Sequence, residues 1–310
     1  MYLIDFFKRL GRVNNIPIII YLVLNVAIIA GISHLLIGSA YALPFWASFL
    51  IGIALYLLSL VIALSPIGEW ILRKQNGCKE IDNPDLLAYI SPIFDEVYQR
   101  AKMLDPSIPD DVRLFVKYDA DPNAFATGRK TVCITTGLLN CPVGQIKATL
   151  AHEFGHLAHK DTDLILVVAV GNMIVTAFIT FVRLMIELFR LMMLFVSLFI
   201  GGSEGSLAAV FTSIYSFMIS LFVSGLTWVW TKIGTLLVMK SSRSNEYAAD
   251  EFSYQLGYGY DLCGLLDSFS AGSSKGLFAN LVSSHPDKDL RIQRLVDLQT
   301  AANDASMISK

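Results

Sequence analysis

The stretch His152-Glu153-Phe154-Gly155-His156 sets two imidazoles four residues apart, with a carboxylate beside the first. On a helix, positions i and i+4 share a face, so both rings can reach one metal ion. Zinc suits such a set because it takes nitrogen and oxygen ligands tetrahedrally and leaves one position open. Glu153 projects near the same face, where it can take a proton from an attacking water. A five-residue match of this kind arises by chance in roughly one chain per hundred of this length. The chain holds only five histidines, so two at this spacing carry information.

Three protein ligands are needed, and Asn245-Glu246-Tyr247-Ala248-Ala249-Asp250 offers a third. Glu246 would be the carboxylate ligand. Asp250, one turn later, would fix the tautomer and orientation of a ligand histidine. Spacing leaves this open, because an exposed helix commonly carries Glu and Asp at i and i+4. His159 lies three residues past His156, but a tetrahedral site already has its donors. His34 falls at the end of an apolar run, where an interfacial polar residue is the plain reading.

The elements that position these groups follow from hydrophobic periodicity. Val143 to His159 has helical spacing. Asp85 to Met103 reads as an amphipathic helix that Pro92 kinks or splits. Val112 to Tyr118 alternates as a strand does, and Ala124 to Thr127 and Lys130 to Thr135 flank a Gly128-Arg129 turn. Asn245 to Leu256 reads as a helix stopped by Gly257, followed by helices over Asp261 to Ser270 and Leu290 to Thr300. Gly272 to Gly276 reads as a flexible loop.

Composition places this catalytic sequence beside a membrane. Hydrophobic residues make up 54% of the 310 and charged ones 16%, against about a quarter charged in soluble domains. No Asp, Glu, Lys or Arg occurs between Arg12 and Glu69, enough for two spans near Ile16 to Ile37 and Leu43 to Leu64. Further uncharged runs cover Leu164 to Val182 and Gly205 to Thr231. The expected fold is a predominantly α-helical membrane protein: four transmembrane helices in two hairpins, plus a cytoplasmic α+β gluzincin-type domain with a small β-sheet. The boundaries are 1-74 for the first hairpin, 75-162 and 163-239 for the first catalytic part and the second hairpin, and 240-310 for the second catalytic part. Arg183 to Gly202 either extends the third span or lies on the surface; an extension is preferred.

Lys8, Arg9 and Arg12 precede the first span, and Arg73, Lys74 and Lys79 follow the second. Lys160 precedes the third, and Lys232, Lys240 and Arg243 follow the fourth. By the positive-inside rule both termini and the catalytic sequence face the cytoplasm, with Arg183 and Arg190 as exceptions. An N-terminal anchor is favoured over a cleaved signal, for want of a small-x-small cleavage site. Cys78, Cys133, Cys141 and Cys263 form no CxxC pair and read as thiols in packed positions. No basic run suggests nucleic acid.

The chain resembles the HtpX family, bacterial inner-membrane metalloproteases related to the CAAX prenyl proteases. The resemblance is carried by Asn123-Ala124-Phe125-Ala126-Thr127-Gly128, by Thr136-Gly137-Leu138-Leu139, by His152 to His156 and by Glu246 to Asp250. It implies one zinc ion held by His152, His156 and Glu246, with Glu153 as general base. It implies that Asn123, Ala124, Phe125 and Ala126 form an edge strand pairing with substrate backbone. It implies that His285 stabilises the oxyanion and that Arg291 positions Asp250 or the site edge. Protein or peptide substrates, damaged membrane proteins above all, quality control under stress, and a lipid bilayer as partner are expected on the same ground. The alternatives are a catalytically silent membrane scaffold with a structural zinc and a prenyl-protein processing protease.

Overall fold

The computed structural model describes residues 16–34, 44–160, 162–200, 203–268 and 288–308. His285 and the Gly272 to Gly276 stretch lie outside them. Two compact units emerge, one of Leu64–Leu166 with Val238–Lys310, the other of Ile16–Ala63 with Val167–Leu237.

In the second unit, α1 (Ile16–Ser33) and α2 (Phe45–Ala63) are the two helices expected from the first uncharged run. Among the described residues α2 is the one helix long and apolar enough by itself to cross a membrane, and Ile19–Gly31 within α1 is a shorter apolar helix. Gly52 lets α2 approach α1 closely, since a Cβ there would stand 2.5 Å from the Ala30 Cα. A polar network lies inside this unit. Asn25 Nδ2 donates to Asn172 Oδ1 at 2.6 Å, Asn172 Nδ2 donates to the Tyr21 hydroxyl at 2.6 Å, and Trp230 Nε1 donates to Asn25 Oδ1 at 3.1 Å. Each polar group thereby finds a partner away from water.

In the first unit, α3 (Pro66–Asn76) starts on a Ser65 cap and ends at Gly77 in the left-handed region. The helix α4 (Pro84–Leu104) is capped by Asn83, whose side chain accepts from the amides of Asp85 and Leu86. Pro92 sits inside α4, and the helix continues through it. Next come β1 (Arg113–Lys117), β2 (Ala124–Thr127) and β3 (Thr131–Thr135). β3 is central, antiparallel to β2 as the turn residues require, and parallel to β1. The sequence reading held no parallel pair. β3 is buried along its whole length, which suits a central strand covered on both faces.

A 3₁₀ turn (Leu138–Asn140) leads into α5 (Val143–His159), with the bounds that the spacing predicts. α5 ends at Lys160, a non-glycine residue with φ of 55°. The chain continues through α6 (Thr162–Ile165), a π-helical stretch (Leu166–Gly171), α7 (Asn172–Ile200) and α8 (Ser203–Gln255). The segment from Arg183 continues α7 without a break. The expected helix start at Asn245 is corrected: Glu246 and Asp250 lie near the end of a 53-residue helix. No proline interrupts residues 203–255, so the polar Ser-Arg-Ser-Asn run at 242–245 is not a start signal. Gly257, at φ 88°, stops it as expected. Then α9 (Gly259–Ser268) and α10 (Lys288–Ile308) complete the described chain.

The core of this unit gathers one face of α4, the inner side of the sheet, most of α5 and the last turns of α8. Phe154 is fully buried, its ring 5.5 Å from Phe94 and 5.4 Å from Tyr98. The interior residues of the His-Glu motif thus anchor α5 while the flanking histidines face the site. None of the four cysteines is in a disulfide, and Cys78 and Cys133 pack together against Phe115.

Candidate active site

Because α5 is one helix, His152 and His156 lie one turn apart, their rings nearly perpendicular and their Nε2 atoms 3.2 Å from each other. A close crossing with α8 brings the third group. Gly155 faces Ala249, where an added Cβ would lie 2.9 Å from the Ala249 Cα. Three residues before Ala249, Glu246 turns its carboxylate into the same space. Glu246 Oε1 is 3.4 Å from His156 Nε2, and Oε2 is 3.5 Å from His152 Nε2.

These separations test whether a metal fits. Tetrahedral zinc with ligand bonds of about 2.0–2.1 Å needs ligand atoms about 3.3–3.4 Å apart. The His152–His156 separation and the nearest approach of each ring to one or the other Glu246 oxygen lie close to that value, and one ligand atom from each residue falls within 4.8 Å of the other two, so the group has the chemistry of a zinc site. His152, His156 and Glu246 are the group that the described residues offer for a metal.

Behind the triangle, His152 Nδ1 lies 2.9 Å from Asp250 Oδ1. A proton held there leaves the Nε2 lone pair aimed at the metal position. Arg291 clasps the same carboxylate with two bonds, Nε to Oδ2 at 2.7 Å and Nη2 to Oδ1 at 2.5 Å, and its Nη1 is 3.5 Å from Glu246 Oε2. The arginine is buried, far from the helix-surface charge that its sequence context equally allowed. Burial alone would push the Asp250 carboxyl up, but Arg291 and then His152 hold it down at about 2. Burial disfavours charge on His152 as well, yet Asp250 and Glu246 outweigh it and raise its pKa.

Glu153 points away from the triangle's rear and meets the sheet. Its Oε2 accepts a 2.6 Å hydrogen bond from the Ala126 amide on β2. In an antiparallel pair, residues alternate between bonding the partner strand and pointing outward. Thr135 N donates to the Asn123 carbonyl, so Asn123, Phe125 and Thr127 bond inward and Ala124 and Ala126 face out. The outer edge of β2 therefore runs past Glu153. The approach of β2 is fixed at its start by Thr135 Oγ1, which donates toward the carbonyls of Asp121 and Asn123 and accepts from the Asn123 amide.

The structure thus brings together His152, Glu153, His156, Glu246, Asp250, Arg291 and the Asn123 to Ala126 strand. His285 falls outside the described residues. His159 packs edge-on to Phe252, and His34 Nδ1 lies 3.1 Å from Ser48 Oγ; neither joins the site. The Ala126–Glu153 bond, and Thr135 as the hub of the strand's approach, carry no spacing signal and were not legible beforehand.

A two-histidine, one-glutamate cluster, buried except at His156, with an adjacent carboxylate on a helix–sheet–helix frame defines a metallopeptidase type of site. The family model described as peptidase family M48 matches residues 87–299, and the chain belongs to that family. A protease HtpX homolog of Acaryochloris marina is 25% identical over 299 residues, covering 86% of this chain and 91% of the relative. Protease HtpX of Idiomarina loihiensis is 25% identical over 249 residues, covering 74% and 79%. The resemblance to HtpX read from the sequence stands. The crystal structure of Ste24p from S. mikatae aligns with 20% identity and a TM-score of 0.37, over 88% of this chain and 64% of that one.

Proposed function

We infer that this protease is a zinc-dependent membrane endopeptidase that cleaves extended segments of damaged or misfolded proteins on the cytoplasmic side of a membrane. The observation that carries the reading is the His152, His156 and Glu246 cluster, with Glu153, the residue next to His152, bonded to the outward Ala126 amide of β2. A zinc ion on His152, His156 and Glu246 would supply a lowered water pKa and a polarised scissile carbonyl.

The chain's own residues do the rest. The outward amide of Ala124 and the outward carbonyls of Ala124 and Ala126 pair with an extended peptide, which gives sequence-tolerant binding. Ala126 also donates to Glu153, holding that carboxylate between the strand and the triangle. Glu153 accepts the proton of the attacking water and returns it to the leaving amine. Asp250 and Arg291 keep His152 in one tautomer and one orientation. His285 is assigned to the oxyanion on the strength of the family resemblance. Four spans in two hairpins, with both termini cytoplasmic, are the topology that the flanking cations support. The relatives named protease HtpX support protein substrates, and membrane residence rests on the family resemblance and the uncharged runs of the sequence. A protein quality-control role is what the family resemblance implies, and a binding mode that reads backbone is compatible with it.

The test uses the full chain purified in detergent without metal and mixed with casein, with and without zinc, beside Glu153→Ala. Zinc-dependent cleavage that disappears in the variant, with metal binding retained, establishes the reading. A wild type that binds zinc yet matches the variant on several substrates overturns it in favour of a silent scaffold.

A further inference from the structure

Two buried constellations outside the metal site meet at one short turn, the Gly128-Arg129-Lys130 link between β2 and β3. On one side stands α3. Glu69 Oε1 accepts from the Lys130 amide at 3.0 Å and from Thr131 Oγ1 at 2.6 Å. Arg73, one turn further on, lies 3.6 Å from the same oxygen, and its Nη1 is 3.1 Å from Thr131 Oγ1. The Glu69 stem lies flat on the turn: a Cβ at Gly128 would stand 2.5 Å from Glu69 Cγ.

On the other side, the left-handed residue Lys160 ends α5 and sends the chain back to the turn. Thr162 Oγ1 donates to the Gly128 carbonyl. Asp163 receives Arg129 through both oxygens, Nε to Oδ1 at 2.7 Å and Nη2 to Oδ2 at 2.8 Å. The two side chains are 11% and 4% exposed.

A short hairpin turn is ordinarily solvated and needs no such partners. Burying an ion pair gains little net stability, because desolvation offsets the attraction. What two opposed clasps do supply is a fixed position. The turn they fix lies one residue past Thr127, at the end of the four-residue strand whose Ala126 bonds Glu153. In the chain, Glu69 follows the apolar helix α2 by six residues, and Asp163 directly precedes the second uncharged run. Segments at the roots of both apolar hairpins therefore hold one turn.

We propose that Glu69, Arg129 and Asp163 are positioning residues that keep β2 in register with Glu153, so that a peptide pairing along its outer edge presents its scissile bond at the metal. This rests on β2 as the peptide-binding strand. The residues touch no substrate; they act through the strand.

The test measures kcat and KM for fluorescein-labelled casein with the zinc-saturated full chain in detergent. Single variants leave a buried charge and risk misfolding, so the informative variant is the double Arg129→Met/Asp163→Leu, which removes both charges at similar volume. Its expected KM is about tenfold higher, which corresponds to roughly one backbone hydrogen bond lost between the peptide and a shifted strand edge. Its kcat, zinc content and thermal midpoint stay near wild type. Glu69→Gln should show a smaller rise in KM, and the exchange Arg129→Asp/Asp163→Arg should recover part of the loss. A double variant with unchanged KM overturns the proposal. So does one in which kcat, zinc content and stability fall together, which marks a merely structural pair. Ala124→Pro, which removes an outward amide at a tolerated edge position, separates the two levels. A raised KM there with an unaffected double variant sinks the clasp alone; no effect of Ala124→Pro sinks the strand reading and the clasp with it.

Discussion

Substituting Gly155 by alanine tests whether the spacing of α5 and α8 sets the metal triangle. The new Cβ would stand 2.9 Å from the Ala249 Cα and 3.1 Å from the Phe252 Cβ. Carbon atoms pack at about 3.5–4.0 Å, so the helices must part by roughly 0.6 Å or more. Two edges of the triangle cross between these helices, at 3.4 and 3.5 Å. They would open to about 4 Å, beyond the 3.3–3.4 Å or so that tetrahedral zinc allows. Overpacking of this kind costs about 1–3 kcal/mol, which corresponds to a zinc affinity weaker by about 5- to 150-fold. Alanine is a better helix former than glycine by about 0.8–1.0 kcal/mol, which offsets part of that cost in the metal-free fold. The assay is competition for zinc with a chromophoric chelator, run beside thermal denaturation of the metal-free protein. An affinity within twofold of wild type, with cleavage intact, would refute the idea that this close approach sets the triangle.

Arg291→Met should weaken zinc binding by about 10- to 100-fold, the usual effect of losing a partner behind a ligand; saturating zinc should recover most of the casein cleavage. The Asp250 carboxyl, held at about 2 against an ordinary 3.8, takes up its proton later in the folded chain than in the unfolded one. Its contribution to stability is complete above pH 3.8 and fades as pH falls toward 2. The urea midpoints of metal-free wild type and Asp250→Asn should therefore converge across that window, and parallel curves would contradict the assignment. Phe154→Ala should cost about 3–5 kcal/mol, since the ring fills the core against Phe94 and Tyr98. Thermal denaturation should show a far larger drop for it than for Phe154→Leu.

The His152 to His156 motif and the bounds of α5 were legible because helical periodicity and metal-ligand spacing are both local properties of the chain. The β2–β3 hairpin was legible for the same reason, through Gly128 at its turn. The parallel pairing of β1 with β3 was not, because nothing near Arg113 reports which strand lies beside it. Nor was the continuity of α8, whose polar 242–245 stretch looks like a helix start and is carried through by the helical residues on both sides. Arg291 lies 41 residues from Asp250 and 45 from Glu246, a separation that leaves no periodic trace. Nothing in the local sequence links Glu69, Arg129 and Asp163, and only the tertiary fold reveals that they share a turn. Local chemistry was readable from the sequence; the contacts that aim it are long-range.

The outer edge of β2 offers just two residues, Ala124 and Ala126, and neither has a side chain able to select a sequence. If clients bind there, amino-acid preference is a weak filter, and what matters is whether several consecutive backbone groups of the client are unpaired. A strand already engaged in its own sheet, or a helix with its amides satisfied, has nothing to give this edge. The cleavage rate of a folded client should then follow the population of its opened form, and so its own unfolding free energy, when opening is fast relative to cutting. Two clients of unrelated sequence but equal stability would be degraded alike. A single destabilising substitution in either would mark it for removal without creating any new recognition motif.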